Sequence, residues 1–166
     1  MNSFIRHADV VKMANFTMMT SLLSSDPQKG TFKSPLFYTF KLFSNNCRGS
    51  AVDTYVSCDT FSAGRYKAIP YLDVSSVYSK ESGSLTINVV NRHKDKAISA
   101  EIINLSGNLS GSASVNELTA TDLSEPFIFD KQQQYVPVMK TAAAKDNKIV
   151  YSFPPHSLTQ IVVKVK

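Results

Sequence analysis

Glu81, Glu101, Glu117 and Glu125 are the glutamates from which any sugar-cleaving chemistry in this chain would be built. Glycosidic hydrolysis needs two carboxylates across the scissile bond, at a separation set by the mechanism. Asn116-Glu117 is the sharpest candidate, because an Asn-Glu pair is a common setting for a glycosidase acid/base. It lies in the alternating run Ser114-Val115-Asn116-Glu117-Leu118-Thr119, where an outward-facing strand residue is expected instead. His7, His93 and His156 stand far apart without ligand-spaced partners, so no zinc pattern forms. No GxSxG elbow or glycine-rich phosphate loop occurs. Cys47 and Cys58 make no CxxC and read as two free thiols. The sequence assigns no catalytic, substrate-binding or metal residue and calls for no cofactor.

Tyr55, Tyr66, Tyr71 and Tyr78 could line a sugar-binding face, but tryptophan is absent, and core or rim packing is expected for them. Asn15-Phe16-Thr17, Asn104-Leu105-Ser106 and Asn108-Leu109-Ser110 match the N-glycosylation pattern, which matters only in a eukaryotic secretory pathway. The net charge of +5 is dispersed, and its densest cluster, Arg92-His93-Lys94-Asp95-Lys96, reads as a solvated turn rather than a nucleic-acid surface. Nothing approaches the roughly 18 consecutive apolar residues of a membrane span, and no secretion signal is seen.

The elements that would position these groups change character along the chain. With 166 residues, 43% hydrophobic and 19% charged, the composition is that of a globular domain with at most a short appendage. Val11, Ala14, Met18 and Leu22 recur at helical spacing, which predicts a first helix from about Ser3 to Leu23. Ser24 to Gly30 would stop it. Ser34-Pro35 is a helix start, and Leu36, Phe37, Phe40 and Phe43 predict a second helix from Pro35 to Ser44. After Gly49 the period falls to 2. Strands are predicted at Ala51–Cys58, Tyr71–Tyr78, Leu85–Val89, Ala97–Ile103, Ala113–Leu118, Tyr135–Met139, Lys148–Phe153 and Leu158–Val165. The fold class is therefore mainly β, a jelly-roll-like antiparallel sandwich behind two helices. An amphipathic helix with no preceding element to pack on reads as the middle of a longer chain.

Five segments together resemble family 51 α-L-arabinofuranosidases. Arg6-His7-Ala8-Asp9-Val10-Val11-Lys12-Met13-Ala14-Asn15 is similar to that family's last barrel helix. Lys33 to Ser44 is similar to its serine, proline, aromatic helix, and Ile69-Pro70-Tyr71-Leu72-Asp73-Val74 to its P-x-L-D strand. Leu85-Thr86-Ile87-Asn88-Val89-Val90-Asn91-Arg92 resembles its V-V-N-R strand, and Pro154-Pro155-His156-Ser157-Leu158-Thr159 its closing turn.

The resemblance implies that residues 1–46 are the helical tail of a missing (β/α)8 catalytic barrel and residues 47–166 its C-terminal β-sandwich. It also implies a parent that releases terminal arabinofuranosyl groups from arabinan and arabinoxylan with retention, in the periplasm of a polysaccharide-degrading bacterium or outside the cell. Both catalytic glutamates of the family lie upstream of the segment matching Met1, so this chain alone is expected to be inert. Many members place a substrate-reaching glutamine after the helix; here Met18, in Thr17-Met18-Met19-Thr20-Ser21-Leu22, stands in its position and cannot donate that bond. The partners implied are the barrel, arabinose-containing polysaccharide through the parent, and a homo-oligomer. The alternatives are a non-catalytic carbohydrate-binding or oligomerisation module.

Overall fold

The chain folds around one curled, fully antiparallel sheet of eight strands, described here from a computed structural model that covers residues 1–16, 22–124 and 127–166. In chain order its elements are α1 (Asn2–Arg6), β1 (Leu23–Asp26), β2 (Gly30–Lys33), α2 (Pro35–Asn46), β3 (Ser50–Val52), β4 (Thr60–Ala63) and β5 (Tyr66–Pro70). There follow β6 (Leu72–Ser79), β7 (Ser84–Asn91), β8 (Ile98–Ile103) and β9 (Leu109–Leu118). A 3-10 segment (Phe129–Tyr135) then leads to β10 (Val138–Lys145), β11 (Lys148–Phe153) and β12 (Ser157–Val165). The sheet order is β3-β6-β7-β12-β9-β10-β11-β8, with β1-β2 and β4-β5 as separate hairpins.

Period-2 alternation explains the core. Leu85, Ile87 and Val89 of β7, Ala113 and Val115 of β9, and Ile161 and Val163 of β12 point to the same side and are buried there. Strand β10 makes the curl. Its residues 138–143 pair with β9, and Ala144 and Lys145 pair with β11, so it passes from one layer to the other. That turn brings Ile149 and Phe153 of β11 over Ile161 and Val115, closing a sandwich-like core. Gly49 admits the chain to β3: a Cβ there would meet the Tyr78 carbonyl oxygen at 2.2 Å, so only glycine passes.

Several strands fall where the alternation places them, and α2 runs two residues past its predicted end. The first helix does not run to Leu23. Helix survives only over Asn2–Arg6, turns follow to Val10, and Leu23 begins β1; residues 17–21, with Met18 and Met19, lie outside the described residues. Of the stripe's described residues Ala14 is exposed and Val11 and Leu22 are only half-buried, while Val10 and Met13 beside them are 71% and 79% exposed; the stripe finds little surface here, and a helix depends mainly on packing. The Ser24–Gly30 stop is instead a hairpin, closed by Asp26 Oδ1 accepting from the Gln28 and Lys29 amides. Ala51–Cys58 shortens to the edge strand β3, exposed along its length. Tyr135 ends the 3-10 segment rather than opening a strand.

The core argument predicts that Ile161→Ala, at a position with no exposure, lowers stability by about 2–5 kcal/mol. Val150→Ala, at an exposed position of β11, should change it by under about 0.5 kcal/mol. Urea unfolding of the two variants checks the contrast.

Candidate functional site

The outer face of the central strands is polar where an apolar face would be usual. The alternation that turns Ile87 and Ile161 inward turns Asn88 and Gln160 outward, beneath α2, yet both are fully buried. Their hydrogen bonds are complete. Gln160 Nε2 donates to Asn88 Oδ1 at 2.7 Å and to the Leu42 carbonyl at 3.2 Å, while its Oε1 accepts from Asn46 Nδ2 at 2.6 Å. Asn88 Nδ2 donates to Ser75 Oγ and to Cys47 Sγ, both at 3.3 Å. Ser75 in turn donates to Asn2 Oδ1 at 2.9 Å, and Asn2 Nδ2 reaches the Asp73 carbonyl. Thr86 donates to the Asn46 carbonyl at 2.8 Å. Only a small apolar patch, Leu42, Phe43 and Leu158, packs alongside. Leaving one such buried group unpaired would cost about 1–3 kcal/mol, so the network dictates where α1 and α2 sit. Burial pushes the Cys47 thiol above its ordinary range, and the Asn88 bond only partly offsets it.

A second tie holds α1. Asp73 Oδ1 lies 2.7 Å from the Arg6 guanidinium and Oδ2 lies 3.0 Å from that of Arg92, with the carboxylate largely buried between them. Arg6 also donates to the Val74 carbonyl and Arg92 to that of Pro70. Asn91, fully buried beside it, donates to the Pro154 and Lys96 carbonyls and accepts from the His93 amide, stapling the end of β7 to the turn before β12. Three segments singled out in the sequence, around Arg6, Asp73 and Arg92, thus meet at one carboxylate.

Glu117 is not outward-facing. It shares the inner face with Ala113 and Val115 and is 5% exposed. The burial is tolerable because Lys140 Nζ sits 2.6 Å from Oε1 and the Tyr151 hydroxyl donates to Oε2 at 2.8 Å. A cavity of about 220 Å3, lined also by Thr119, Tyr135 and Val138, lies beside it. The polar partners of Glu117 are thus a lysine and a tyrosine, and Glu125 lies outside the described residues. Glu101 lies on β8 against Lys148. Burial, then the Glu117 bond and charge, holds the Tyr151 phenol well above its ordinary range.

The remaining candidates scatter. His7 is exposed, while both ring nitrogens of His156 face carbonyls, of Lys94 at 2.8 Å and of Ala120 at 2.6 Å. Tyr71 and Tyr78 are half-buried as expected, but Tyr55 and Tyr66 stand in solvent at 92% and 59%. Cys47 and Cys58 are free. Among the described residues no group of three or more His, Cys, Asp or Glu gathers to hold a metal, and no helix is long and apolar enough to cross a membrane. Sequence reasoning missed Asn88 and Gln160. The available signal was an amide on the solvent side of otherwise apolar strands.

Comparison with known proteins sets this geometry in a family. The model of the family described as Alpha-L-arabinofuranosidase C-terminal domain matches residues 1–157. A probable alpha-L-arabinofuranosidase C of Aspergillus clavatus is 29% identical over 96% of this chain, which spans 32% of that protein. The intracellular exo-alpha-(1->5)-L-arabinofuranosidase 1 of Bacillus subtilis is 29% identical over 57% of the chain and 19% of its own length. Among solved structures, the GH51 arabinofuranosidase of Xanthomonas axonopodis pv. citri superposes with TM-score 0.85 at 20% identity, over 98% of this chain and 33% of that one. That of Thermotoga petrophila does so with TM-score 0.83 at 22% identity, over 98% and 36%.

Two variants test these ties. Asp73→Asn should cost about 1–2 kcal/mol and open Arg6 to limited trypsin digestion, since both guanidinium pairs weaken together. Tyr151→Phe removes a hydrogen bond to a carboxylate and should cost about 1.5–3 kcal/mol near neutral pH. A phenol held above its unfolded value stabilises the fold fully below the ordinary tyrosine range and ceases to do so as pH rises through its folded value. The variant should therefore lose that part of the alkaline decline in stability, read from denaturation midpoints across pH.

Proposed function

This chain belongs to the α-L-arabinofuranosidase C-terminal domain family, and we propose that it supports the catalytic barrel of an arabinofuranosidase rather than carrying chemistry itself. In this reading residues 1–46 belong to the barrel's tail and residues 47–166 form the supporting sandwich. The barrel, on the same polypeptide, hydrolyses terminal arabinofuranosyl groups of arabinan and arabinoxylan. The chain spans about a third or less of the curated relatives it matches, which leaves room in such proteins for that barrel.

One observation carries the proposal. Arg6 and Asn2 are bound to the sheet at one end of the N-terminal segment, and α2 is bound at the other, yet several described residues of the segment present apolar side chains to solvent. Phe4, Val10, Met13, Phe16 and Leu23 range from 39% to 79% exposed. A concentration of this kind marks a surface built for a partner, and the family match supports reading that partner as the barrel. Glu117, the sharpest catalytic candidate of the sequence, is tied to Lys140 and Tyr151, which supports reading it as a structural carboxylate.

Purified chain is expected to release no 4-nitrophenol from 4-nitrophenyl α-L-arabinofuranoside; measurable turnover overturns the reading. Val10→Ser with Met13→Ser should leave the stability of the 166-residue chain within about 0.5 kcal/mol, because both side chains are already in water. The same pair in the longer enzyme should lower its melting temperature, and an unchanged value there contradicts the docking.

A further inference from the structure

An open groove of about 720 Å3, sharing no lining residue with the cavity beside Glu117, lies between the base of the β4–β5 hairpin and the start of β8. Two rings line it as parts of a stack. The Tyr71 ring sits 4.9 Å from that of Phe61 on one side and 4.7 Å from that of His93 on the other. The stack is held from the backbone as well: the Tyr71 amide donates to the Asp59 carbonyl, and the Arg92 amide to the Tyr71 carbonyl. His93 Nδ1 accepts from the Asp95 and Lys96 amides, so in the neutral ring the N–H belongs to Nε2. Nε2 has no protein partner among the described residues. Neither has the Tyr71 hydroxyl, the Asp59 carboxylate, the Lys96 ammonium, or the hydroxyls of Thr60 and Ser99, all of which line the same groove.

We propose that this groove binds a neutral polyhydroxylated chain, an arabinose-containing polysaccharide. A sugar offers apolar C–H edges to aromatic rings and alternating donors and acceptors to polar side chains, and the groove supplies both. The opposed charges of Asp59 and Lys96 suit a neutral ligand, because a polyphosphate would meet the carboxylate. The rings are already stacked, so binding need not order them. The identity of the sugar rests on the function proposed above; the groove's geometry does not.

Calorimetric titration of the chain with arabinan, arabinoxylan and dextran tests this. Saturable binding of arabinan or arabinoxylan is expected, with weaker binding of dextran. Lys96→Ala and Ser99→Ala, both at exposed positions, should each weaken it by about fivefold, the loss of one hydrogen bond. Val150→Ala, on exposed β11 surface outside the groove, should leave it unchanged. Flat heats with both arabinose polymers, or binding indifferent to the Lys96 and Ser99 changes, overturn the site. Equal affinity for dextran overturns the assignment to arabinose. None of these outcomes bears on barrel support, which is judged by turnover and by the longer enzyme's melting temperature.

Discussion

The placement of α1 and α2 on the sheet depends on two buried amides. Asn88 and Gln160 lie side by side on adjacent strands, fully withdrawn from water, and the 2.7 Å bond between them leaves donors and acceptors that only α2, Cys47 and Ser75 satisfy. Apolar contacts tolerate sliding, whereas hydrogen bonds do not. The few apolar residues beneath α2 would hold a helix in many registers; the amides accept one, because any shift strands a buried polar group at about 1–3 kcal/mol. The network continues through Ser75 to Asn2, so α1 and α2, some thirty residues apart in sequence, are positioned by one set of bonds.

The two faces of the sheet therefore do different work. The inner face is closed by shape, with Ile161, Val115, Ile149 and Phe153 meeting across the curl that β10 makes. The outer face is closed by directional bonds, and Asp73 with its two arginines repeats the principle at the edge of the sheet. The outcome is an N-terminal segment anchored at both ends, with Val10 and Met13 facing solvent between the anchors.

Much of this was legible in local pattern. Alternation located strands β6, β7, β11 and β12, and Ser34-Pro35 marked the start of α2. What resisted reading was relational. Asn88 and Gln160 are 72 residues apart, and an amide on the solvent side of a strand looks like any exposed polar residue until a helix covers it. Glu117 looked outward for the same reason: its lysine and tyrosine come from β10 and β11, and only the curl brings them round. The first helix failed in the opposite sense. Its periodicity is genuine, but a helix depends mainly on packing, and of the stripe's described residues Ala14 is exposed and Val11 only half-buried. The β4–β5 hairpin was missed because Thr60–Pro70 carries little alternation and pairs mainly with itself.

Native-state hydrogen exchange, read peptide by peptide, addresses the central claim most directly. If the amide network fuses tail and sheet, the backbone of α2 opens in the same cooperative step as β12, at the same free energy and with the same dependence on denaturant. Exchange of α2 at low protection while β12 remains closed would show a helix merely resting on the sheet, and the account of this chain as a rigid support would fall.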